Sequence, residues 1–165
     1  MASEPSQSTK SIHVLFVCLG NICRSPMAEA VLRHKVAEAG LSDRIRVDSA
    51  GTGDWHLGSP PHKGTRRILE EYGISSEGIA ARQIIPSDLE TFDYVLTMDD
   101  ANLVAVRDLA ATPRATVRPL LEFSPELGVA EVPDPYYKGG FSEVYDLIDA
   151  ACDKLLATIR SEHHL

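Results

Sequence analysis

The segment VLFVCLGNICRSPMAEA, Val14–Ala30, passes from an apolar run through a cysteine, a glycine and an arginine into a helical pattern. Ile12–Val17 reads as a central strand of a parallel sheet, because its run is apolar on both faces. From Met27 to Ala39, the residues Ala28, Val31, Leu32 and Val36 recur at helical spacing, and Gly40 is a fitting stop. Cys18–Arg24 is therefore a strand-to-helix loop. In an α/β sheet, such loops lie at the carboxyl ends of the strands, where ligands bind.

The same rhythm recurs outward from this loop. Arg44–Val47 alternates polar and apolar residues as a second strand, and the stretch GTGDWHLGSPP after it is irregular. His62–Tyr72 reads as a helix closed by Gly73, Asp93–Met98 as a third strand and Asp100–Leu109 as a third helix. Val117–Leu121 fits a fourth strand, which Pro119 moves to an edge. Ser142 offers an N-cap for a last helix with Val144, Leu147, Ile148, Ala151 and Leu155 on one stripe. Strands alternating with helices predict an α/β fold, a single-domain three-layer sandwich with a central four-stranded parallel sheet flanked by helices on both faces. The expected domain is 12–160, between a flexible tail at 1–11 and a short tail at 161–165 that holds His163 and His164.

Composition narrows the function. The chain has 165 residues, enough for one sizeable core, and a net charge of −8, which argues against a nucleic-acid partner. An acidic protein that handles phosphate must do so with a local positive site. No run of eighteen apolar residues predicts a membrane span, and MASEPSQSTKS lacks the apolar middle of a signal peptide, so a cytoplasmic location is expected. Three cysteines, Cys18, Cys23 and Cys152, are an odd number and suit free thiols rather than a disulfide framework. Cys18 and Cys23 have no second Cys/His pair at finger spacing, so no metal is expected.

The loop itself has the makings of an anion site. Its backbone amides (Leu19, Gly20, Asn21, Ile22, Cys23) and the helix N-terminus would converge on one centre. Gly20 permits a tight turn, Asn21 tolerates a left-handed conformation, and Arg24 offers a planar fork for two oxygens of a tetrahedral oxyanion. A thiol at that centre, Cys18, favours the thiolate, which under a bound phosphate is a nucleophile aimed at phosphorus. The alternative for Cys18 and Cys23 is a pair of buried core thiols.

The string CLGNICRSPMAE decides between them. It resembles, almost letter for letter, the signature loop of the low-molecular-weight protein tyrosine phosphatases. DSAGTGDW (Asp48–Trp55), AARQI (Ala80–Ile84), TMD (Thr97–Asp99) and VPDPYY (Val132–Tyr137) resemble further family segments in the family's order, from about Ile12 to Ile159. The resemblance implies hydrolysis of phosphotyrosine monoesters through a cysteinyl-phosphate, without metal or other cofactor. Cys18 would be the nucleophile, Arg24 and the loop amides would stabilise the equatorial oxygens, and Asp134 would be the general acid and then base. Asp134 stands between Pro133 and Pro135, which stiffens its loop, although an isolated Asp-Pro is usually a plain turn.

Around this centre, Ser25 would hydrogen-bond the Cys18 sulfur, cap the first helix, or do both. The family places Asn21 and Ser49 in the network that shapes the loop, and Asp99 would orient Arg24 or cap a helix. Trp55, Tyr136 and Tyr137 would wall a crevice deep enough to favour phosphotyrosine over phosphoserine, with loop packing as the alternative for Trp55. Cys23 is either a small buried hydrophobe or, as in the family, a partner for Cys18 in a reversible disulfide. Cys152 falls near the apolar stripe of the last helix and reads as core. The implied partners are a phosphotyrosine-containing protein substrate and a tyrosine kinase paired with the enzyme. Inorganic phosphate is the implied product, and a monomer is expected.

One departure stands out. Many relatives carry a histidine just before the ARQ run to support the loop serine, and there is none between Tyr72 and Arg82. The support of Ser25, and with it turnover, should differ from those relatives. Two rival readings remain: a thioredoxin-coupled arsenate reductase, which needs relay cysteines where Ala80–Asp99 has none, and a non-catalytic phosphate-binding module, which would usually have lost Cys18, Arg24 or Asp134.

Overall fold

A computed structural model describes residues 10–165. Most of the expected N-terminal tail, residues 1–9, lies outside the described residues. Four parallel strands, β1 (Ile12–Cys18), β2 (Ile45–Gly51), β3 (Tyr94–Thr97) and β4 (Thr116–Pro119), form one sheet in the order β2-β1-β3-β4. The helices are α1 (Arg24–Glu38), α2 (Lys63–Glu71), α3 (Asp88–Thr91), α4 (Asp100–Arg107) and α5 (Phe141–His163). Two 3-10 turns, Leu120–Phe123 and Pro125–Leu127, follow β4. No helix among the described residues is long and apolar enough to cross a membrane.

The apolar run of β1 is central because both of its faces are covered. Val14, Phe16 and Cys18 pack with α1, α2 and α5 through Met27, Leu32, Leu69, Ile148 and Leu155. Leu15 and Val17 face a second, smaller core of Leu89, Val95 and Val106, under α3 and α4. Period-2 alternation in the strand thus separates the two cores. Pro119 ends β4 at the sheet edge, where a missing N–H breaks no ladder.

Several boundaries differ from the sequence reading. α1 begins at Arg24, three residues before the apolar period starts. β2 continues past Val47 to Gly51, pairing Ser49 with Phe16 and Gly51 with Cys18. Gly51 is required there, because a Cβ would stand 2.8 Å from the Leu19 carbonyl and 3.1 Å from Asn21 Cβ. Ser142 does not cap α5: the helix starts one residue earlier, from Gly140 at φ 87, with no side-chain cap. α5 runs to His163, so 161–163 are helical, and the Nε2 of His163 lies 3.0 Å from Tyr94 Oη, which also donates to Glu162.

Candidate active site

The loop Cys18–Arg24 joins the end of β1 to the start of α1. Its one left-handed residue is Asn21, at φ 56. Gly20 needs no positive φ; it matters because a Cβ there would meet the His56 ring at 3.0 Å. The backbone polarity of the loop is divided. The carbonyls of Leu19, Ile22 and Cys23 accept from Gly53 N (2.9 Å), His62 N (2.7 Å) and Thr65 Oγ1 (3.1 Å). Among the described residues, the N–H groups of Gly20, Asn21, Ile22 and Cys23 have no protein acceptor. Spent acceptors outside and unspent donors inside make a cradle for an anion.

Cys18 ends β1, buried, with its Sγ 3.0 Å from Ser25 Oγ and 3.4 Å from the Ser25 N–H that donates to it. Asn21 Nδ2 donates to Ser25 Oγ (2.7 Å) and Ser49 Oγ (2.9 Å), while its Oδ1 accepts from the Arg82 N–H (2.9 Å). Because Ser25 already accepts from Asn21, its own hydroxyl proton is left for one of two acceptors, the sulfur at 3.0 Å or the Ala50 carbonyl at 3.5 Å, and the sulfur is the nearer. Cys23, not Ser25, holds the N-cap position of α1, and no side chain caps it, so capping is not what Ser25 does. Ser25 is instead held by Asn21, without the histidine that many relatives use.

Ser49 in turn donates to Glu29 Oε1 at 2.6 Å. Glu29 is buried on α1, and burial pushes its carboxyl up to about 7. A glutamate in a helix next to an arginine at i+4 reads in sequence as a solvated face, which is why it was missed; only the polar chain behind the loop reveals it. Arg82 was missed as well: its guanidinium spans Asp48 and Asp88 at 3.0–3.2 Å and so fixes the segment that holds Asn21.

Arg24 is 2% exposed. Its Nη1 donates to Asp99 Oδ2 (2.6 Å) and the Val132 carbonyl (3.0 Å), and its Nη2 lies 3.5 Å from Asp134 Oδ2. Its Nε is buried without an acceptor among the described residues, a donor still available to an oxyanion. Asp99 divides its two oxygens: Oδ2 holds Arg24, and Oδ1 caps α4 by accepting from the Asn102 N–H at 2.9 Å. Asp134 Oδ1 accepts from the Tyr136 N–H at 3.1 Å, which folds the Pro133–Pro135 corner over the cleft.

The cleft has a volume of about 270 Å³, enough for one aryl phosphate. Cys18, Leu19, Gly20, Ile22, Cys23 and Arg24 form its floor, with Trp55, Asp134, Tyr136 and Tyr137 around the mouth. Asn21, Ser25, Ser49 and Asp99 stand behind this lining. His56 also lines the cleft, its ring 6.0 Å from that of Tyr136. The signal for His56 was its place beside Trp55 in the irregular loop. All three cysteines are free thiols; burial first, then the neighbouring Cys18, pushes Cys23 up to about 12. Cys152 is fully buried in α5, and burial raises its thiol too.

The chain as a whole is similar to known proteins. The family model described as low molecular weight phosphotyrosine protein phosphatase matches residues 13–165. The chain is 50% identical to low molecular weight protein-tyrosine-phosphatase YfkJ of Bacillus subtilis over 93% of its length and 99% of the relative's. It is 44% identical to PtpA of Staphylococcus epidermidis over 93% and 97%. The crystal structure of YfkJ superposes with a TM-score of 0.90 at 49% identity, covering 93% of this chain and 97% of that one. The chain belongs to the low-molecular-weight protein tyrosine phosphatase family.

Proposed function

We propose that Cys18 is the nucleophile of a metal-independent phosphotyrosine phosphatase, with Arg24 and the loop amides as its oxyanion cradle and Asp134 as its proton carrier. The observation that carries this reading is that the Cys18 thiol, loop amides without an acceptor and the buried Arg24 guanidinium with its unpartnered Nε line one cleft. Cys18 Sγ attacks phosphorus while the aryl oxygen departs with a proton from Asp134. Water then attacks the cysteinyl-phosphate and gives its proton to Asp134. The thiolate leaves toward the Ser25 hydroxyl, and inorganic phosphate is released. Trp55, Tyr136 and Tyr137 receive the ring of the phosphotyrosine side chain.

The substrate on this reading is a phosphotyrosine-containing protein, made by a partner tyrosine kinase and met by a monomer in the cytoplasm. Cys23 guards the nucleophile: peroxide oxidises Cys18 to the sulfenic acid, and the Cys23 thiol condenses with it to a disulfide, expelling water. An arsenate reductase is disfavoured because Ala80–Asp99 holds no cysteine and Cys152 is sealed in α5.

The test is p-nitrophenyl phosphate hydrolysis without added metal. Wild type should turn over, Cys18→Ser should be inactive, and Asp134→Ala should lose at least tenfold in kcat. A well-folded but inactive wild type would refute the reading and make arsenate reduction the next assay.

A further inference from the structure

The helix α2 is charged against its own dipole. Lys63, Arg66 and Arg67 fall in its N-terminal half and Glu70 and Glu71 at its end, with no acid in the first turn and no base in the last. Cations at the positive end of a helix and carboxylates at the negative end both destabilise it. Folding does not require these charges, since α2 packs through Thr65, Ile68 and Leu69 on its other face. The three cations are exposed, and none forms an ion pair among the described residues. Arg66 and Arg67 stand four residues before Glu70 and Glu71, but neither pair closes to ion-pair distance, and in a chain of net charge −8 three such cations on one helix face break the local pattern.

They form one wall of an open groove of about 660 Å³, whose other wall is the Gly73–Glu77 turn. Glu70 and Glu77 stand in the same groove. Along α2 the groove thus passes from the cations Lys63, Arg66 and Arg67 to Glu70 near the end of the helix. The positive end adjoins the reaction cleft. His62, the N-cap of α2, donates its N–H to the Ile22 carbonyl at 2.7 Å, and its ring lies 5.8 Å from that of Tyr136 at the mouth. Thr65 Oγ1 holds the Cys23 carbonyl at 3.1 Å. The first turn of α2 is therefore bonded directly to the loop that carries Cys18.

We propose that this groove binds an acidic segment of the phosphotyrosyl substrate, the residues adjoining the phosphotyrosine; the inference rests on the phosphatase reading above. α2 has nine residues and is about 13 Å long, a span covered by about four residues of extended peptide. Carboxylates within about four positions of the phosphotyrosine reach Lys63 as a point charge and Arg66 and Arg67 as planar forks. More distant carboxylates meet Glu70 at the far end of the helix. The groove therefore selects acids close to the phosphotyrosine, not acidic proteins in general.

Binding and turnover can be read apart. The full chain carrying Cys18→Ser is titrated with two fluorescent phosphotyrosyl peptides, one with Asp and Glu in the positions flanking the phosphotyrosine and one with Ala there. The acidic peptide should bind about tenfold tighter at low salt, and the advantage should shrink as salt rises. Lys63→Ala, Arg66→Ala and Arg67→Ala together should erase the difference, while the same three changes in wild type leave kcat and KM for p-nitrophenyl phosphate unaltered. Equal affinity for the two peptides, a preference that survives the triple substitution, or no binding of either peptide would each overturn the groove. Failure of wild type to hydrolyse p-nitrophenyl phosphate would overturn the phosphatase reading instead, whatever the peptides do.

Discussion

The floor and the rim of the cleft are built in opposite ways. Asn21, Arg24, Ser25 and Ser49 are each at most 2% exposed, and the polar chain of Ser25, Asn21 and Ser49 runs without a break from the sulfur to Glu29. Trp55 and Tyr137 on the rim are 68% and 90% exposed, with no side-chain hydrogen bond among the described residues to fix them. Groups that meet developing charge are positioned in advance, because reorganising dipoles during a reaction is what slows it. Groups that meet an apolar ring need only area, which an exposed side chain supplies by adapting. The two carboxylates on Arg24 repeat the contrast. Asp99, at 2.6 Å, is locked into a helix cap, whereas Asp134, at 3.5 Å, is 40% exposed on the rim, the position from which the proton carrier proposed above would meet both leaving group and water.

If the floor is preorganised, its largest single contribution is the Arg24 fork. Arg24→Lys keeps the charge but loses the planar pair of donors and strands Asp99 and the Val132 carbonyl. We expect kcat/KM for p-nitrophenyl phosphate to fall about 10³-fold. A loss below tenfold would mean that charge alone suffices and the contrast with the rim is false.

Glu29 sharpens the comparison from below the floor. Its carboxyl is raised by burial from 4.5 to about 7, so the fold favours the protonated form. The stability that Glu29 contributes is complete below pH 4.5 and is lost as pH rises through 7. The swing is about 3 kcal/mol at most. Glu29→Gln keeps an acceptor for Ser49 and removes the titration, so urea midpoints measured at pH 5 and pH 8 should converge in the variant. Wild type should lose stability across the same interval, net of its other groups. An identical pH dependence in both proteins would exclude Glu29 as the titrating group.

How much of this was legible depended on whether a residue's partners were near it in sequence. The strand, loop and helix from Ile12 to Glu38 were legible because an apolar run, a Gly-Asn turn and a 3.6-residue period are local signals. The end of β2 was not, since Ser49 takes an apolar position of the alternation in order to serve the loop, beside Asp48, which serves Arg82. α3 is four residues long, too short for a period to show. The start of α5 was misplaced because a glycine at φ 87, not a serine hydroxyl, sets it. Cys18, Arg24 and Asp134 stood out by motif, but Glu29 and Arg82 act through residues 20 to 61 positions away, and no spacing encodes that.

Asp99→Asn separates positioning from capping. Asparagine caps helices as well as aspartate does, so α4 keeps its bond to the Asn102 N–H. Only the charge that holds Arg24 is removed. kcat should drop about tenfold with little change in the melting temperature. A large thermal shift with full activity would assign Asp99 to the helix rather than to the arginine.

The smallest effect is expected at the rim. Trp55 is packed on one side by Gly53, where a Cβ would enter its ring, and is otherwise open. Trp55→Ala should raise KM for a phosphotyrosyl peptide severalfold and leave kcat nearly unchanged, because the wall contributes equally to ground and transition states. A matching fall in kcat would mean that Trp55 holds the leaving group under Asp134. The rim would then share in the chemistry, and the division between a fixed floor and an adaptable mouth would have to be redrawn at the ring rather than at the phosphate.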